Sequence, residues 1–486
     1  MYFNSIRLRR LALLLLAPCL LSCGGKRAET LQLESEADLT GLTLSTSAGN
    51  YYYGKYSGRD DIKLFPVNSE SDGVEALRQG IADVFVTDEV SVPKNIRERL
   101  GIKIAFRGAE TFDVAFAIRK GNDALREDLD AFIARSLEDG SIDAIISHWV
   151  NGTPAPPDPV PGEPFDGPAL HCITSFNMEP VCFLGDDGRW QGFDADILRR
   201  FAIATGRKWE MDFLSLGSAI MALNSGQADV VNACLYVTEE RKRSIDFSIP
   251  YYHCRPGYFV LEHGKGPGMS LGDRIEASLL TEGSRRLIVE GLVQTVLITF
   301  FSILLGSLLG IAVCAALRSR RKWVRRTIGV YGTLVQGTPV LVLLLIMFYV
   351  VFANAGLSGT IVAIITFSLF FAWSSGGIFD SSISSVPRGQ VEAGLGLGFT
   401  PFRTFTGIVF PQALKFGLRP YTAECVSLLK STSIVGYIAI QDLTRASDLI
   451  RSRTFDALLP LLVVTVIYFI LAWLIRLLLK FLLVKK

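Results

Sequence analysis

The sequence is poor in residues and motifs that bind metals or nucleotides. It contains only four histidines, and none of its eight cysteines forms a Cys-x-x-Cys pair or a Cys/His spacing typical of zinc sites. The pattern G-x-x-x-x-G-K-[ST], whose backbone binds the phosphates of ATP, does not occur. We therefore expect no metal site and no bound cofactor, and we expect that this chain does not itself hydrolyse ATP.

Charged residues are scarce after residue 285. Residues 286–486 contain 19 Lys/Arg and 7 Asp/Glu, whereas residues 1–285 contain 30 and 40. The formal net charge of +2 is therefore the sum of an acidic part and a basic, apolar part. This division predicts a soluble region followed by a membrane region and excludes a single globular domain. Long apolar runs separate the basic residues, which argues against a nucleic-acid-binding stripe.

The first residues have the features of an export signal. Three arginines precede an apolar run at 11–21 that is too short to span a membrane as a stable helix. The run ends in Leu-Ser-Cys-Gly, which resembles a bacterial lipoprotein signal in which Cys23 is lipid-modified. Residues 1–23 are therefore predicted to be a lipoprotein-type signal peptide, with a plain signal anchor as the alternative. Either interpretation places residues 30–285 outside the cytoplasm.

Two segments of the soluble region show the same alternation of strands and helices. Residues 30–151 and 169–262 each read as an α/β layer, and the proline-rich stretch 152–168 between them reads as a semi-rigid linker. Both segments contain A-L-x-x-G-x-A-D-V, at 76–84 and at 222–230, which predicts a helix end, a glycine cap and a buried strand. The shared pattern predicts two matching lobes, and a generic helix-to-strand turn is the alternative.

Both segments contain further runs of residues that are specific enough to indicate a family. The later segment contains Q-G-F-D-A-D at 191–196, V-T-E-E-R at 237–241 and D-F-S-I-P-Y-Y at 246–252, and the earlier one contains D-V-F-V-T-D-E at 83–89 and I-R-K-G-N at 118–122. The first set resembles the first lobe of periplasmic solute-binding proteins for polar amino acids, and the second set resembles their second lobe. The family order is thus reversed. We expect one circularly permuted two-lobe α/β binding domain, with the linker joining the family's termini; two truncated domains are the alternative.

The resemblance implies a buried site for a free amino acid. Arg241 is the expected cation for the ligand's carboxylate, because a guanidinium matches a carboxylate with two parallel hydrogen bonds. Asp88 is the expected anion for the ammonium group, and contact with both lobes would cause the cleft to close. The other expected ligand-lining residues are Asn50, Tyr51, Ser175, Met178, Leu216, Cys234 and Tyr236. They make the pocket apolar and crowded, and they do not single out one amino acid.

Four cysteines would face the oxidising space outside the cytoplasm. They are Cys172, Cys182, Cys234 and Cys254. Disulfides are possible there, and four cysteines allow three full pairings. The sequence does not choose among these pairings.

Five apolar segments in residues 286–486 are long enough to cross a bilayer, which needs about 20 residues. They are 291–315, 329–352, 359–379, 421–440 and 457–479. Basic residues collect between the first and second, between the third and fourth, and after the fifth, which places these regions in the cytoplasm; three outward arginines between the fourth and fifth are an exception. After a tether at 263–285 we expect an all-α, five-helix permease domain in a bacterial plasma (inner) membrane.

The loop between the third and fourth predicted spans carries the most specific motif. It resembles the coupling loop of ABC importer permeases, E-A-A-x3-G-x9-I-x-L-P, a short helix pair that docks on an ATPase in that family. The corresponding positions are Glu392, Ala393, Gly394, Gly398, Ile408 and Pro411. Gly394 replaces the second alanine of the pattern, and Phe410 replaces its leucine. The runs Q-G-T-P at 336–339 and L-K-S-T-S at 429–433 resemble segments of polar amino-acid permeases.

These resemblances together identify a fused solute-binding protein and permease subunit of a polar amino-acid ABC importer, of the histidine/glutamine type. The implied partners are a separate ABC ATPase subunit, a second permease unit that forms a homodimer, an amino-acid-like ligand and membrane lipid, without nucleic acid. The alternatives are an amino-acid-gated ion channel, which would have a pore loop and no need of the coupling motif, and a ligand sensor, which would need a signalling domain.

Overall fold

The computed structural model describes residues 31–48, 50–159, 167–175, 177–185, 187–262, 271–353 and 355–483. Residues 1–23, with the predicted signal and Cys23, lie outside this part. The chain divides into two compact units. The first comprises Met1–Asp113, Tyr252–Arg274 and Phe455–Ala457, and the second comprises Val114–Tyr251, Ile275–Thr454 and Leu458–Lys486.

Strands occur only before residue 262 in the described residues. In chain order they are β1 (Thr43–Ser47), β2 (Lys63–Val67), β3 (Val84–Asp88), β4 (Ile102–Arg107), β5 (Phe112–Val114), β6 (Ala117–Ile118), β7 (Gly167–Thr174), β8 (Phe183–Leu184), β9 (Trp190–Gln191), β10 (Arg207–Phe213), β11 (Val230–Asn232), β12 (Asp246–Phe247), β13 (Tyr252–Cys254) and β14 (Pro256–Leu261).

The helices that accompany these strands are short. They are α1 (Tyr51–Tyr56), α2 (Glu70–Arg78), α3 (Lys94–Leu100), α4 (Asp123–Glu138), α5 (Ser141–Asn151), α6 (Phe193–Ala204), α7 (Leu216–Ser225) and α8 (Glu239–Lys242), with 3₁₀ turns at Glu36–Leu39 and Glu89–Ser91.

The remaining described chain is helical. Its helices are α9 (Leu271–Ile275), α10 (Glu282–Leu317), α11 (Lys322–Gly337), α12 (Val340–Ile346), α13 (Gly359–Ser384), α14 (Arg388–Gly396), α15 (Pro401–Thr404), α16 (Phe410–Ser431), α17 (Leu443–Thr454) and α18 (Leu459–Leu483). Wider π-helical turns occupy Glu276–Leu280, Met347–Val351 and Phe405–Val409, and a 3₁₀ segment occupies Thr432–Ile438.

Each unit contains a five-stranded sheet, and the two sheets have the same design. The first has the order β2-β1-β3-β14-β4, in which β1 is parallel to β2 and β3 while β14 is antiparallel to β3 and β4. The second has the order β10-β7-β11-β6-β12, in which β7 is parallel to β10 and β11 while β6 is antiparallel to β11 and β12. The expectation of two matching α/β lobes agrees with these sheets.

The fourth strand of each sheet comes from a distant part of the chain. The sheet of residues 43–107 receives β14, and the sheet of residues 167–247 receives β6. The lobes therefore do not coincide with the predicted contiguous segments 30–151 and 169–262. The sequence pattern located elements along the chain, whereas the hydrogen-bonded neighbours of each strand decide the sheet to which it belongs.

The repeated A-L-x-x-G-x-A-D-V motif forms the same structure in both units. In each copy the alanine that opens the motif accepts hydrogen bonds from two amides after the glycine, which has a positive φ. The aspartate then accepts a hydrogen bond from a backbone amide of the neighbouring strand: Asp83 Oδ2 accepts from the amide of Thr43, the first residue of β1, at 2.8 Å, and Asp229 Oδ2 accepts from the amide of His171, within β7, at 2.9 Å. The motif thus fixes the register between a strand and its neighbour, which explains why the aspartate recurs.

The described part of the predicted linker, residues 152–159, contains no helix or strand. It is nevertheless held along α6. Arg200 donates to the carbonyl oxygens of Pro156, at 2.8 Å, and Pro157, at 2.5 Å, and Arg199 forms an ion pair with Asp158 at 2.6 Å. Since proline carbonyls lack a helical or strand partner here, the two arginines supply the donors that the linker needs.

Among the described residues, three helices are each long and apolar enough to cross a membrane: α10, α13 and α18. Two bent pairs bring the number to five if each pair counts as one span. The predicted second span, 329–352, is one of these pairs, since α11 and α12 meet at 106°. The break falls at Q-G-T-P, where Thr338 is extended and Pro339 can neither donate a backbone hydrogen bond nor let the preceding residue stay helical.

Small residues bring α10 and α13 together. A Cβ on Gly310 would lie 2.2 Å from Ser375 Oγ, and one on Gly306 would lie 2.9 Å from the carbonyl oxygen of Ser368. Close contact of helices through glycine and serine is the usual solution in membranes, where association depends on packing and not on the exclusion of water.

The close packing of the Q-G-F-D-A-D motif can be tested by a substitution at Gly192. Its φ is +107°, and a Cβ would lie 2.4 Å from the carbonyl oxygen of Val181. Gly192→Ala should therefore reduce the free energy of unfolding by ~1–3 kcal/mol and lower the apparent melting temperature of the full chain in detergent.

The matched control is Gly217→Ala, because Gly217 lies in α7 with open space around its Cα. Alanine favours a helix by about 1 kcal/mol over glycine, so this variant should melt at or above the wild-type temperature. Equal melting temperatures for the two variants would contradict the role assigned to Gly192.

Candidate functional site

Arg241, the predicted carboxylate-binding residue, lies on the one-turn helix α8. Thr238 caps this helix, and its hydroxyl accepts a hydrogen bond from the amide of Arg241 at 3.3 Å. The guanidinium is partly buried, and its Nη1 donates to the carbonyl oxygen of Tyr236 at 3.1 Å. This contact orients the guanidinium against the segment that follows β11.

The predicted pocket residues of the second unit all follow the carboxyl ends of parallel strands. Ser175 and Met178 follow β7, Leu216 follows β10, and Cys234 and Tyr236 follow β11. The amide of Ser175 donates to the carbonyl oxygen of Asn232 at 3.4 Å, so the first and last of these groups lie at the same sheet edge. Ligands of open α/β sheets bind outside this edge.

The individual environments of these residues differ. Met178, Cys234 and Tyr236 are buried, whereas Ser175 and Leu216 are partly exposed. Cys234 has a φ of +43°, in the left-handed region that is uncommon for a residue with a Cβ. Such backbone strain occurs mainly at functional positions, where the surrounding structure holds it.

The predicted residues of the first unit also collect at the carboxyl edge of its sheet. Asn50 and Tyr51 follow β1, and Asp88 ends β3. Asn50 caps α1 by accepting a hydrogen bond from the amide of Tyr53 at 2.8 Å, and Tyr51 begins that helix with its ring 4.6 Å from the ring of Phe112.

Asp88 is 7% exposed and is held by a residue that the sequence analysis did not select. The hydroxyl of Tyr52 donates to Asp88 Oδ1 at 2.8 Å. A hydrogen bond to the charged form stabilises a carboxylate and fixes its orientation. The run of three tyrosines at 51–53 indicates that a hydroxyl group could contact Asp88. The sequence does not show which of the three rings faces Asp88, because this depends on the orientation of helix α1.

Asp194 is a second buried carboxyl group outside the predicted set. Its side chain has no exposure, and the hydroxyl of Tyr251 donates to its Oδ1 at 2.6 Å. Burial raises the pKa of Asp194 to about 7, although the hydrogen bond from Tyr251 opposes the shift. The ring of Tyr251 also stacks on Phe116 at 4.2 Å. Asp194 thus joins α6 to the place where the chain leaves the second unit.

The raised pKa of Asp194 predicts a pH dependence of stability. Above about pH 4 the unfolded chain loses this proton, whereas the folded chain keeps it until about pH 7. The free energy of unfolding should therefore fall as the pH rises from about 4 to 7. Asp194→Asn removes the titration, so the variant should gain stability relative to the wild type between pH 5 and pH 8, measured as apparent melting temperature of the full chain.

Asp143→Asn, at an exposed position of α5, controls for the loss of a carboxylate in itself. A difference between Asp194→Asn and the wild type that is the same at pH 5 and pH 8 would show that Asp194 does not titrate in this range.

The predicted coupling residues form a compact helical element in the second unit. Glu392, Ala393 and Gly394 lie on α14, Gly398 has a φ of +83° in the turn after it, Ile408 lies in the π-helical turn, and Pro411 lies in the first turn of α16. A Cβ on Gly394 would lie 2.7 Å from Thr404 Cγ2 and 2.9 Å from Ile408 Cδ1. Glycine at this position therefore lets α14 contact the following helix directly.

The outer surface of this element carries several large apolar side chains. Leu397 and Phe402 are each 76% exposed. They are accompanied by the exposed side chains of Val391, Leu395 and Phe399. Glu392 and Ala393 are exposed on the same element. Large apolar side chains exposed in this number on one short element are typical of an interaction site.

The cysteines and carboxylates of the described ranges show no metal chemistry. Within those ranges no group of three or more His, Cys, Asp or Glu side chains is placed to hold a metal ion. The four cysteines of the α/β region, Cys172, Cys182, Cys234 and Cys254, are buried, and no disulfide joins any two of them. None of the three disulfide pairings left open by the sequence is formed.

Residues 170–397 match the family model of bacterial extracellular solute-binding proteins, family 3. The match begins within β7 and extends beyond the last strand into the helical region. A solved amino acid ABC transporter with histidines superposes on 45% of this chain and 100% of its own, with 25% identity and a TM-score of 0.40.

Several curated permeases are similar to this chain. The L-cystine transport system permease protein TcyB of Bacillus subtilis is 32% identical over 213 residues, which cover 43% of this chain and 91% of that protein. The probable amino-acid ABC transporter permease protein YckA of the same species is 30% identical over 37% of this chain and 80% of that protein. HisM, the histidine/lysine/arginine/ornithine permease protein of Salmonella typhimurium, is 26% identical over 40% and 86%. The chain therefore belongs to the permeases of amino-acid ABC transporters and carries a family 3 solute-binding domain on the same polypeptide.

Proposed function

We propose that this subunit imports an amino acid or a similar small polar solute across the plasma membrane, driven by a separate ATPase. The observation that carries the proposal is the helical element 388–411, which combines the spacing of a coupling loop with an exposed apolar surface. A channel gated by a ligand has no use for such a surface, so the importer is favoured over the channel. A sensor is disfavoured for the same reason.

The binding domain is proposed to be a circular permutant. Its support is the path of the chain: α4 and α5 follow β6, and the linker then leads from α5 to β7. This order would result if the linker joined the amino and carboxyl termini of the unpermuted family fold. The family match supports the same idea, because it begins at residue 170 and not at the first strand.

The ligand is proposed to be held by its charged ends. Arg241 binds the carboxylate, and Asp88, oriented by Tyr52, binds the ammonium. The seven other predicted residues contact the remainder of the ligand. The relatives named for cystine and for histidine, lysine, arginine and ornithine support an amino acid without selecting one.

The role of Arg241 can be tested by direct binding. Arg241→Ala should weaken binding of the labelled ligand to the full chain in detergent by about 30-fold or more, because removing one partner of a buried charge pair costs ~2–5 kcal/mol. L-cystine, L-glutamine and L-histidine are the first ligands to use.

The control for that experiment is Arg243→Ala, which removes an exposed arginine just beyond the same short helix. Its affinity should match the wild type. Equal losses in the two variants, or none in either, would remove Arg241 from the site.

In the membrane we propose five spans, with each bent pair crossing once. The solute-binding domain then lies on the extracytoplasmic side, and the element 388–411 lies in the cytoplasm, as the distribution of basic residues supports. Two permease units, in a homodimer, and two ATPase subunits complete the transporter. Lipidation of Cys23 is a further proposal for the anchored amino terminus.

Coupling to ATP can be tested at Glu392. Glu392→Lys places a positive charge on the proposed ATPase-binding surface, and an unmatched charge at an interface costs several kcal/mol, so ATP-driven uptake into vesicles should fall by about tenfold or more. Ligand binding should be unchanged.

Gln390→Lys is the control, since it adds the same charge to an exposed position of α14. It should retain most of the uptake. Uptake that persists in Glu392→Lys, or in vesicles without ATP, would reject the importer.

A further inference from the structure

Asn177 connects the α/β lobe of the second unit to helix α17. It is 3% exposed, and its Nδ2 donates to the carbonyl oxygen of Leu449 at 2.8 Å and contacts Ser452 Oγ at 3.0 Å. On the side of the lobe, its Oδ1 accepts from the amide of Leu184 at 2.7 Å. The amide is thus satisfied by both halves of the unit, as a buried polar group must be.

A second connection lies at α7. Gln227, just after that helix, donates through Nε2 to the carbonyl oxygen of Phe348 at 2.9 Å. The hydroxyl of Tyr349 donates to the carbonyl oxygen of Ser218, in α7, at 3.4 Å. Phe348 and Tyr349 belong to the π-helical turn Met347–Val351, which follows α12 in the bent helix pair of the predicted second span.

Apolar side chains from both halves pack into common clusters. One joins Leu287 and Leu449 of the helices to Trp190 and Phe213 of the lobe. In the other, Tyr349 and Ala439 pack against the lobe's own core, which includes Leu214 and Ala219. The lobe core is therefore continued by residues of the helical half. Apolar packing of this kind is a feature of permanent interfaces, whereas transient ones are as polar as the rest of the surface.

A buried charge lies at the same junction. Arg445 of α17 is 6% exposed, its Nη2 lies 3.9 Å from Asp212 Oδ1, and its Cζ lies 5.9 Å from the ring centre of Phe213. Asp212 and Phe213 end β10 of the lobe. Since a buried cation needs a nearby anion, Asp212 of the lobe and Asp442 of the helical half together compensate the charge of Arg445, and the lobe contributes one of these two carboxylates.

We infer that this lobe, termed the resident lobe (β6, β7, β10, β11 and β12 with α4–α8), stays attached to the permease helices throughout transport. The inference rests on the proposed import function. Separation would expose the shared apolar core, break the hydrogen bonds of Asn177 to Leu449 and Ser452, and remove Asp212 from Arg445. Solute therefore enters the binding domain, and passes to the permease, without a cycle of docking and release.

The test links the resident lobe covalently to helix α17, in the full chain assembled with its ATPase. Asn177→Cys and Ser452→Cys are combined and bridged with a short, reducible bis-methanethiosulfonate. The probe is the labelled amino acid that the wild type takes up best from a panel of the twenty standard L-amino acids and L-cystine. Vesicles that contain the bridged protein should take up the labelled amino acid at a rate within about twofold of the rate after the bridge is reduced. This is expected because the bridge blocks no step that transport requires.

Two results would overturn the inference. One is a fall of about tenfold or more that reduction reverses, since this would reveal a required separation. The other is failure of the two cysteines to bridge although each single variant reacts with the reagent. Wild-type vesicles without uptake of any amino acid would instead refute the import function.

The single variants control for modification itself. Uptake by the unbridged double variant shows that it folds. If that variant is inactive, the pair Gln227→Cys and Phe348→Cys probes the second connection in the same way, with the same two contradicting results.

Discussion

Backbone hydrogen bonds to the fourth strand of each sheet tie the two α/β segments to one another. Neither β14 nor β6 pairs within its own segment, and each fills the position between two strands of the other. Without them, β3 and β11 would each present an open edge of unpaired amides and carbonyls. The two lobes are therefore completed together, and the chain must pass from one unit to the other near Val114 and again near Tyr251.

The second of these passages is reinforced by side chains. Tyr251 hydrogen-bonds to Asp194 and stacks on Phe116, which lies beside the first passage. The buried carboxyl, the two rings and the strand ends thus form one structure from three separated parts of the sequence.

Much of the architecture follows from patterns that are local in the sequence. The repeated motif predicted matching lobes because its glycine, its apolar strand and its aspartate perform the same local task in each copy. The coupling element could be located because its residues follow the spacing of a known motif, and glycine at 394 permits the close contact with Thr404 that the structure shows. The break at Pro339 lies within the Q-G-T-P motif. Hydropathy alone nevertheless predicts one uninterrupted apolar segment across this position, because it does not register the effect of proline on the backbone.

What the sequence could not predict depends on distant neighbours. β6 has two residues, too few for any periodicity, and its place is set by strands that lie more than 100 positions away. Tyr52 bonds to an aspartate 36 residues later, and Asn177 bonds to Leu449 across 272 residues. Such pairs leave no trace in one sequence because their spacing is free to vary.

The apolar surface at Leu397 and Phe402 has a consequence for how much of the subunit a cell can tolerate. The proposed binding of an ATPase at 388–411 would cover this surface. A copy made in excess would expose aromatic and aliphatic side chains to chaperones and proteases, which recognise such patches. The abundance of the permease would then follow the supply of its ATPase, without any dedicated regulator.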